Sequence, residues 1–258
     1  MEVVSDKQTG ETLLDEALRL MKGQQEIEKY SVNTWIDLMS GTSPPVSFAS
    51  LPHPFTGETW NVMKIGFQLK QVRERLLKGL VDKGVLRTEK RNFLLFDMAT
   101  HPVADMRVKE SIINRTVSLL TSTTSAIPPT ALDKEGTQCR VTRAVCLVSA
   151  AYCASVLDNA FDRLGFEERE SAFGRCEEIL NEFVVWPFGG TSNTPPTART
   201  KRQQSKIGMG STGEVRGREA VLGLVQEAKK EARDGEEDLA FELIAGVMEV
   251  LAKMDSLL

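Results

Sequence analysis

The chain has 258 residues and a formal net charge of −4, with 41% hydrophobic and 26% charged residues. This balance is ordinary for a globular protein that buries a core, and it argues against a general nucleic-acid-binding protein, which is usually basic. The four cysteines form no Cys-x-x-Cys pair and the chain has only two histidines, so a zinc site is disfavoured. We interpret the cysteines as small buried side chains in a reducing compartment.

No segment of the sequence is apolar enough to cross a bilayer. The longest apolar window, residues 144–157, is interrupted by Ser149 and Ser155 and falls short of the ~20 residues that a spanning helix needs. The first eleven residues are polar and acidic, unlike a signal or transit peptide. We therefore expect any membrane contact to be peripheral.

Helical spacing of apolar residues predicts that most of the chain is α-helical. The predicted helices, in chain order, are 12–21, 32–39, 60–83, 105–120, 140–164, 168–183, 218–233 and 239–254. The helix at 140–164 is apolar around most of its circumference, which predicts a central, buried position. The proline-rich segment 42–56 is predicted as a loop, and the Gly/Ser/Thr/Pro-rich segment 189–217 as a disordered linker or insertion. The pattern predicts an all-helical domain with one hairpin.

That hairpin is predicted directly after the helix at 60–83, which Gly84 ends. Its two arms are predicted at Val85-Leu86 and at the run Phe93-Leu94-Leu95-Phe96, around a polar turn at residues 87–92.

The run of four apolar residues does not alternate with polar ones. At least two of the four side chains must therefore face away from the core of a half-exposed hairpin. With the cations Lys90 and Arg91 beside it, the run suits insertion into an anionic membrane surface. Coverage within the protein and dimerisation stay open as alternatives.

The helix predicted at 60–83 also carries basic residues. At about 100° per residue, Lys70 and Arg73 lie on one flank about 60° apart, with Arg73 close to the apolar stripe. That stripe consists of Ile65, Leu69, Val72, Leu76 and Leu80. A partly buried arginine needs an anionic partner, which is either an internal carboxylate or an external phosphate held between the arginine and the lysine.

Helix, glycine and hairpin in this order also imitate a winged helix, a nucleic-acid-binding module. Arg73, Arg75 and Lys78 would then enter the major groove, although the apolar run and the acidic total charge count against it. No nucleophile elbow and no histidine-based dyad is present. The sequence therefore predicts no catalytic residue, no metal and no cofactor.

Several segments carry a family signature. They are ETLLDEAL (11–18), NTWIDLMSG (33–41), GETWN (57–61), FQLKQVRERL (67–76), LVDKGVL (80–86) and TEKRNFLLFDMATHP (88–102). By these segments the chain resembles the Golgi phosphoprotein 3 family, and ASVLDNAF (154–161), EFVVWPFG (182–189) and residues 240–258 resemble its fungal branch. The similarity covers most of residues 10–188 and 218–258.

The resemblance implies an all-α fold around a central four-helix bundle with one protruding β-hairpin. It implies a non-enzymatic, peripheral protein of the cytoplasmic face of Golgi membranes, with a cytosolic pool. Members bind phosphatidylinositol 4-phosphate, retain glycosyltransferases by their cytosolic tails and engage the COPI coat. The implied phosphate ligands are Lys70 and Arg73. The implied membrane-inserting or oligomerising hairpin is Glu89–Thr100, with contacts by Phe93, Leu94, Leu95 and Phe96.

The sequence departs from the family pattern in three places. It begins part-way along the family's length, after a region that supplies a tryptophan and another basic residue to the lipid pocket and an arginine-rich tail to the coat. Residues 42–56 split a segment that is normally continuous, and residues 189–217 are longer than expected. We therefore expect one domain over 1–258 with two insertions. The alternative to a lipid reader is a truncated interaction module that does not bind lipid.

Overall fold

The computed structural model describes residues 1–40, 66–93, 96–190, 211–234 and 238–254. In these residues the protein is helical apart from one two-stranded antiparallel sheet, as predicted. The helices are α1 (Thr12–Gln25), α2 (Val32–Ser40), α3 (Val72–Asp82), α4 (Met106–Thr121), α5 (Arg140–Cys153), α6 (Phe166–Phe183), α7 (Ser211–Asp234) and α8 (Asp238–Met254). The strands are β1 (Glu89–Phe93) and β2 (Phe96–Thr100). The chain divides into two compact units, Met1–Met106 and Arg107–Leu258.

The first unit is centred on a cluster of three aromatic rings. Trp35 is 3% exposed, and its ring meets those of Tyr30 and Phe67 edge-on, with centroids 5.4 and 5.8 Å away. Edge-to-face pairs of this kind are favourable beyond the area they bury. Because Phe67 precedes α3 and Trp35 lies on α2, the cluster holds the start of α3 against the helices before it.

Helix α3 is shorter than the predicted helix at 60–83. Residues 60–65 lie outside the described residues, and residues 66–71 form turns before α3 begins. Its end was predicted correctly, because Gly84 adopts a left-handed φ of 73°. The Gly84 N–H donates to the Val81 carbonyl (2.9 Å) and the Val85 N–H to the Leu80 carbonyl (3.0 Å), which is the Schellman pattern of a glycine-terminated helix.

The predicted hairpin is present, but its arms were wrongly predicted at Val85-Leu86 and Phe93–Phe96. Strand β1 is the polar segment Glu89–Phe93 and β2 is Phe96–Thr100, paired from Glu89 opposite Thr100 to Phe93 opposite Phe96. Leu86 instead forms an isolated bridge with Val103 at the base of the hairpin. Backbone pairing, which any side chain permits, makes the polar residues a strand, whereas their composition had indicated a turn.

The second unit is built around α5, α6, α7 and α8, each of which packs against the other three. Their shared core is apolar, and its fully buried side chains include Val145, Val148, Ile179, Phe183 and Met248. Helix α4 adds Leu119 and Leu120 to the same core. This is the four-helix arrangement that the resemblance implied, in which each helix has an apolar side to bury.

The predicted central helix at 140–164 was too long. Helix α5 ends at Cys153 because Ser155 adopts a left-handed φ of 54°. The Ser155 N–H donates to Tyr152 (2.9 Å) and the Val156 N–H to Ala151 (3.1 Å), so the helix closes with a second Schellman pattern. Val156, predicted as buried, is 47% exposed beyond that turn.

Cys176 lies in the core of the second unit, where it is 1% exposed. Burial, with a smaller contribution from the Glu177 carboxylate, raises the pKa of its thiol to about 12. We expect Cys176 in the folded protein to resist iodoacetamide near neutral pH and to react once the chain unfolds, because the thiolate is the reactive form. Alkylation followed by mass spectrometry checks this, with the partly buried Cys139 as the internal reference. Labelling of Cys176 as fast as Cys139 in the folded protein would contradict the prediction.

The raised pKa of Cys176 also makes the free energy of unfolding depend on pH. The folded thiol keeps its proton up to about pH 12, whereas the unfolded thiol loses it near pH ~8.5. The free energy of unfolding should therefore fall as the pH rises through this window.

Candidate functional site

Lys70 and Arg73 lie at the N-terminal end of α3. Lys70 precedes the helix and Arg73 is in its first turn; both side chains are exposed. Between them Gln71 adopts a left-handed φ of 52°, and its carbonyl accepts the N–H of Arg75 at 3.0 Å. Within the described part of the chain, neither Lys70 nor Arg73 forms an ion pair.

No side chain caps this end of α3. The backbone N–H groups of Val72, Arg73 and Glu74 come before the first bond of the helical ladder, so they have no partner within the helix. A helix start carries a partial positive charge and presents its N–H groups to an anion. The two cations therefore lie at the end of the helix that already favours a phosphate group.

The half-buried arginine of α3 is Arg75 rather than Arg73. Its Nη1 lies 2.5 Å from Oε2 of Glu16 on α1, and the two side chains are 29% and 28% exposed. The stripe that was expected to be buried is instead partly open, since Leu76 is 54% and Leu80 39% exposed. Helix α1 pairs with the flank that carries Arg75, and Arg73 is exposed, with no carboxylate partner among the described residues.

The other predicted site residues lie in the hairpin. Lys90 and Arg91 on β1 are both exposed, and they pair across the sheet with Ala99 and Met98. Phe93 and Phe96, the first and last residues of the apolar run, form the last pair of the register. Leu94 and Leu95 are outside the described residues, and for Phe93 and Phe96 only the strand pairing is described.

The base of the hairpin is joined to the C-terminal end of α3. The Leu80 carbonyl accepts the N–H groups of Val85 (3.0 Å) and Leu86 (3.2 Å), and the Arg87 N–H donates to Pro102 at 3.0 Å. The helix that begins with the cation pair thus ends against the strands that carry the apolar run. One short stretch of chain holds both predicted features in one unit.

Sequence reasoning missed a buried arginine in the second unit. Arg175 on α6 is 5% exposed; its Nη1 donates to the Ser122 carbonyl, and its Nε has no partner. Burial lowers the pKa of this guanidinium, against a smaller opposing effect of the Glu178 carboxylate. Its position on the buried face of α6, with Ala172 and Ile179 one turn away, was the available signal. Its hydrogen bond to the neutral Ser122 carbonyl gives it a structural role between α6 and the loop after α4.

Among the described residues, no three His, Cys, Asp or Glu side chains are grouped so that they could hold a metal ion. None of the helices in this part of the protein combines the length and apolarity needed to cross a membrane.

Comparison with known proteins agrees with the motifs. The sequence model of Golgi phosphoprotein 3 (GPP34) matches residues 1–187. The chain is 42% identical over 258 residues to vacuolar protein sorting-associated protein 74 of Schizosaccharomyces pombe, covering all of this chain and 64% of that protein. It is 40% identical over 258 residues to the protein of the same name from Eremothecium gossypii, covering all of this chain and 66% of that protein. The chain thus spans slightly less than two thirds of the length of these relatives, and it belongs to the Golgi phosphoprotein 3 (GPP34) family.

Proposed function

We propose that this chain is a peripheral, non-enzymatic adaptor of the Golgi membrane that binds phosphatidylinositol 4-phosphate. Lys70 and Arg73 hold the 4-phosphate at the start of α3, and the hairpin inserts its apolar run among the lipids. The observation that carries the proposal is the pair of exposed cations without an ion-pair partner in the described residues, located at the uncapped end of α3. Family membership supports the choice of lipid.

Binding of this kind combines two weak contributions, the attraction of cations to the headgroups and the insertion of apolar side chains. Each exposed cation near an anionic surface contributes about 1 kcal/mol, and each large apolar side chain contributes at most about 1.5–3 kcal/mol when fully buried. Neither suffices for stable attachment, whereas headgroup recognition and insertion together do. The N–H groups of the first turn add directional donors for the phosphate.

The proposal extends to partners through the family resemblance. We propose that the adaptor retains glycosyltransferases by their cytosolic tails and joins them to the COPI vesicle coat. We further propose that it acts on the cytoplasmic face of the Golgi in exchange with a cytosolic pool. The hairpin is the proposed surface for any homo-oligomer.

Co-sedimentation with liposomes tests the lipid-binding step. We expect the chain to pellet with phosphatidylcholine vesicles containing phosphatidylinositol 4-phosphate at physiological salt, and at least tenfold less binding after Lys70→Ala and Arg73→Ala, because the phosphate loses both charged donors. A matched control is Lys7→Ala with Lys78→Ala, which removes the same charge from two other exposed sites of the first unit. Equal loss in both variants would indicate nonspecific charge attraction and would overturn the assigned site.

The rival functions give different results in the same experiment. A nucleic-acid-binding module would bind naked duplex DNA with a steep salt dependence and without lipid. An interaction module that does not read lipid would stay in the supernatant while folded. Either outcome would exclude the adaptor function for this chain.

A further inference from the structure

Helix α3 leaves an apolar face in solvent next to the proposed phosphate site. Leu76 is 54% exposed and Leu80 39% exposed. At about 100° per residue both lie within about 60° of Arg73 around the helix axis. The two exposed leucines and the exposed arginine therefore form a mixed apolar and cationic surface. We call it the α3 face (Arg73, Leu76 and Leu80).

Of the charged residues on α3, the one nearest the two leucines around the helix axis is the cation Arg73. The carboxylates of α3, Glu74 and Asp82, lie about 100° or more from Arg73 around the axis. Lys83 follows the helix on the leucine side, with its Nζ 3.4 Å from Glu11 in an exposed pair. An apolar centre beside the exposed Arg73 is complementary to an anionic lipid surface, where alkyl groups insert and cations meet headgroups.

Backbone hydrogen bonds join the end of the α3 face to the base of the hairpin. Leu80, the last member of the face, accepts backbone bonds from Val85 and Leu86, and Leu86 pairs with Val103 where the hairpin begins. The proposed phosphate site therefore lies at one end of α3 and the base of the hairpin at the other, with Leu76 and Leu80 between them along the helix.

We propose that the α3 face docks on the bilayer, so that the phosphate site, Leu76 and Leu80 form one membrane-contact surface along α3. This inference rests on the proposed lipid-binding function and adds to it a contact outside the hairpin and the cation pair. A second copy is the less favoured occupant, because a two-fold interface would bring Arg73 of both copies together without a carboxylate of α3 on the same face to pair with them.

The test compares two double variants with the same chemical change. Leu76→Glu with Leu80→Glu removes two exposed apolar side chains from the α3 face and adds two negative charges. Val4→Glu with Ile27→Glu makes the same change elsewhere on the first unit, where Val4 is 75% and Ile27 79% exposed. On phosphatidylcholine vesicles containing phosphatidylinositol 4-phosphate, we expect the first variant to bind at least tenfold more weakly and the second within about twofold of the unmodified chain.

A gain-of-function variant keeps the inference testable if the first variant folds poorly. Leu76→Trp should strengthen vesicle binding severalfold, because tryptophan favours the membrane–water interface, an effect that a purely structural role of Leu76 would not produce. Circular dichroism monitors the fold of every variant.

The possible outcomes separate the two proposals. If the unmodified chain does not bind the vesicles, the proposed function fails and the inference fails with it. If it binds in a manner that needs Lys70 and Arg73, yet both glutamate variants behave alike, the proposed function stands and the inference alone is overturned. If sedimentation velocity shows a dimer that only the α3-face variant dissociates, with vesicle binding unchanged, the face is an interface between copies and the inference is also overturned.

Discussion

Replacing Phe188 with alanine is expected to lower the free energy of unfolding by about 3–5 kcal/mol. The side chain is 0% exposed, and its ring lies 4.5 Å from that of Phe183, 4.8 Å from Trp186 and 6.2 Å from Phe241, measured between centroids. Truncation removes all three ring contacts and leaves a cavity. Because the neighbouring rings come from α6, the segment after it and α8, they cannot all move inward to fill it.

Phe166 provides the matched control, since it is a phenylalanine at the start of α6 that is 79% exposed. Phe166→Ala should change the free energy of unfolding by about 0.5 kcal/mol or less. Urea denaturation followed by far-UV circular dichroism measures both variants. Equal destabilisation by the two substitutions would show that the ring contacts of Phe188 do not contribute to the stability of the second unit.

Replacing Glu231 with alanine is expected to cost about 2–3 kcal/mol of stability. From α7, its carboxylate accepts the backbone N–H groups of Val141 (2.7 Å) and Thr142 (3.0 Å) and the Thr142 hydroxyl (2.8 Å). It therefore caps the start of α5, where Cys139 provides no side-chain cap. The loss should be large because the uncapped N–H groups lie at the buried start of a core helix.

Glu249 is the control for this second substitution. It pairs with Lys253 at 2.7 Å on the exposed side of α8, with both side chains 55% exposed, and surface pairs of this spacing contribute about 0.3–0.5 kcal/mol. Glu231→Ala should therefore shift the urea midpoint several times further than Glu249→Ala. Similar shifts would mean that solvent caps α5 as well as Glu231 does.

The sequence by itself predicted the helical class and the location of most helices. Apolar residues at helical spacing placed α2, α4, α6 and α8 close to their observed bounds, because a helix on a core must show such a stripe. The motifs around residues 67–102 identified the family, and the family match confirmed this identification. The positions of Lys70 and Arg73 as phosphate ligands came from the resemblance and stay a prediction.

The candidate site was less predictable than the fold around it. A helical wheel placed Arg73 correctly beside Leu76 and Leu80, but it could not reveal which side of α3 the rest of the unit covers. Glu16 on α1 selects Arg75 as its partner, and that pairing joins residues far apart in the chain. The apolar run at Phe93–Phe96 was likewise visible, whereas the pairing of its first and last residues depends on the register of the two strands.

The two ends at Gly84 and Ser155 show what the sequence determined and what only the tertiary structure decided. Both residues close a helix with the same Schellman hydrogen bonds and a left-handed φ. Glycine adopts that φ without steric cost, so the helix end at Gly84 could be predicted from the sequence. Serine does not favour it, and the apolar residues beyond Ser155 continued the helical pattern. There the buried packing of Leu157 and Phe161, both 2% exposed or less, holds the chain in its turn, because a contact with distant helices can outweigh a local conformational preference.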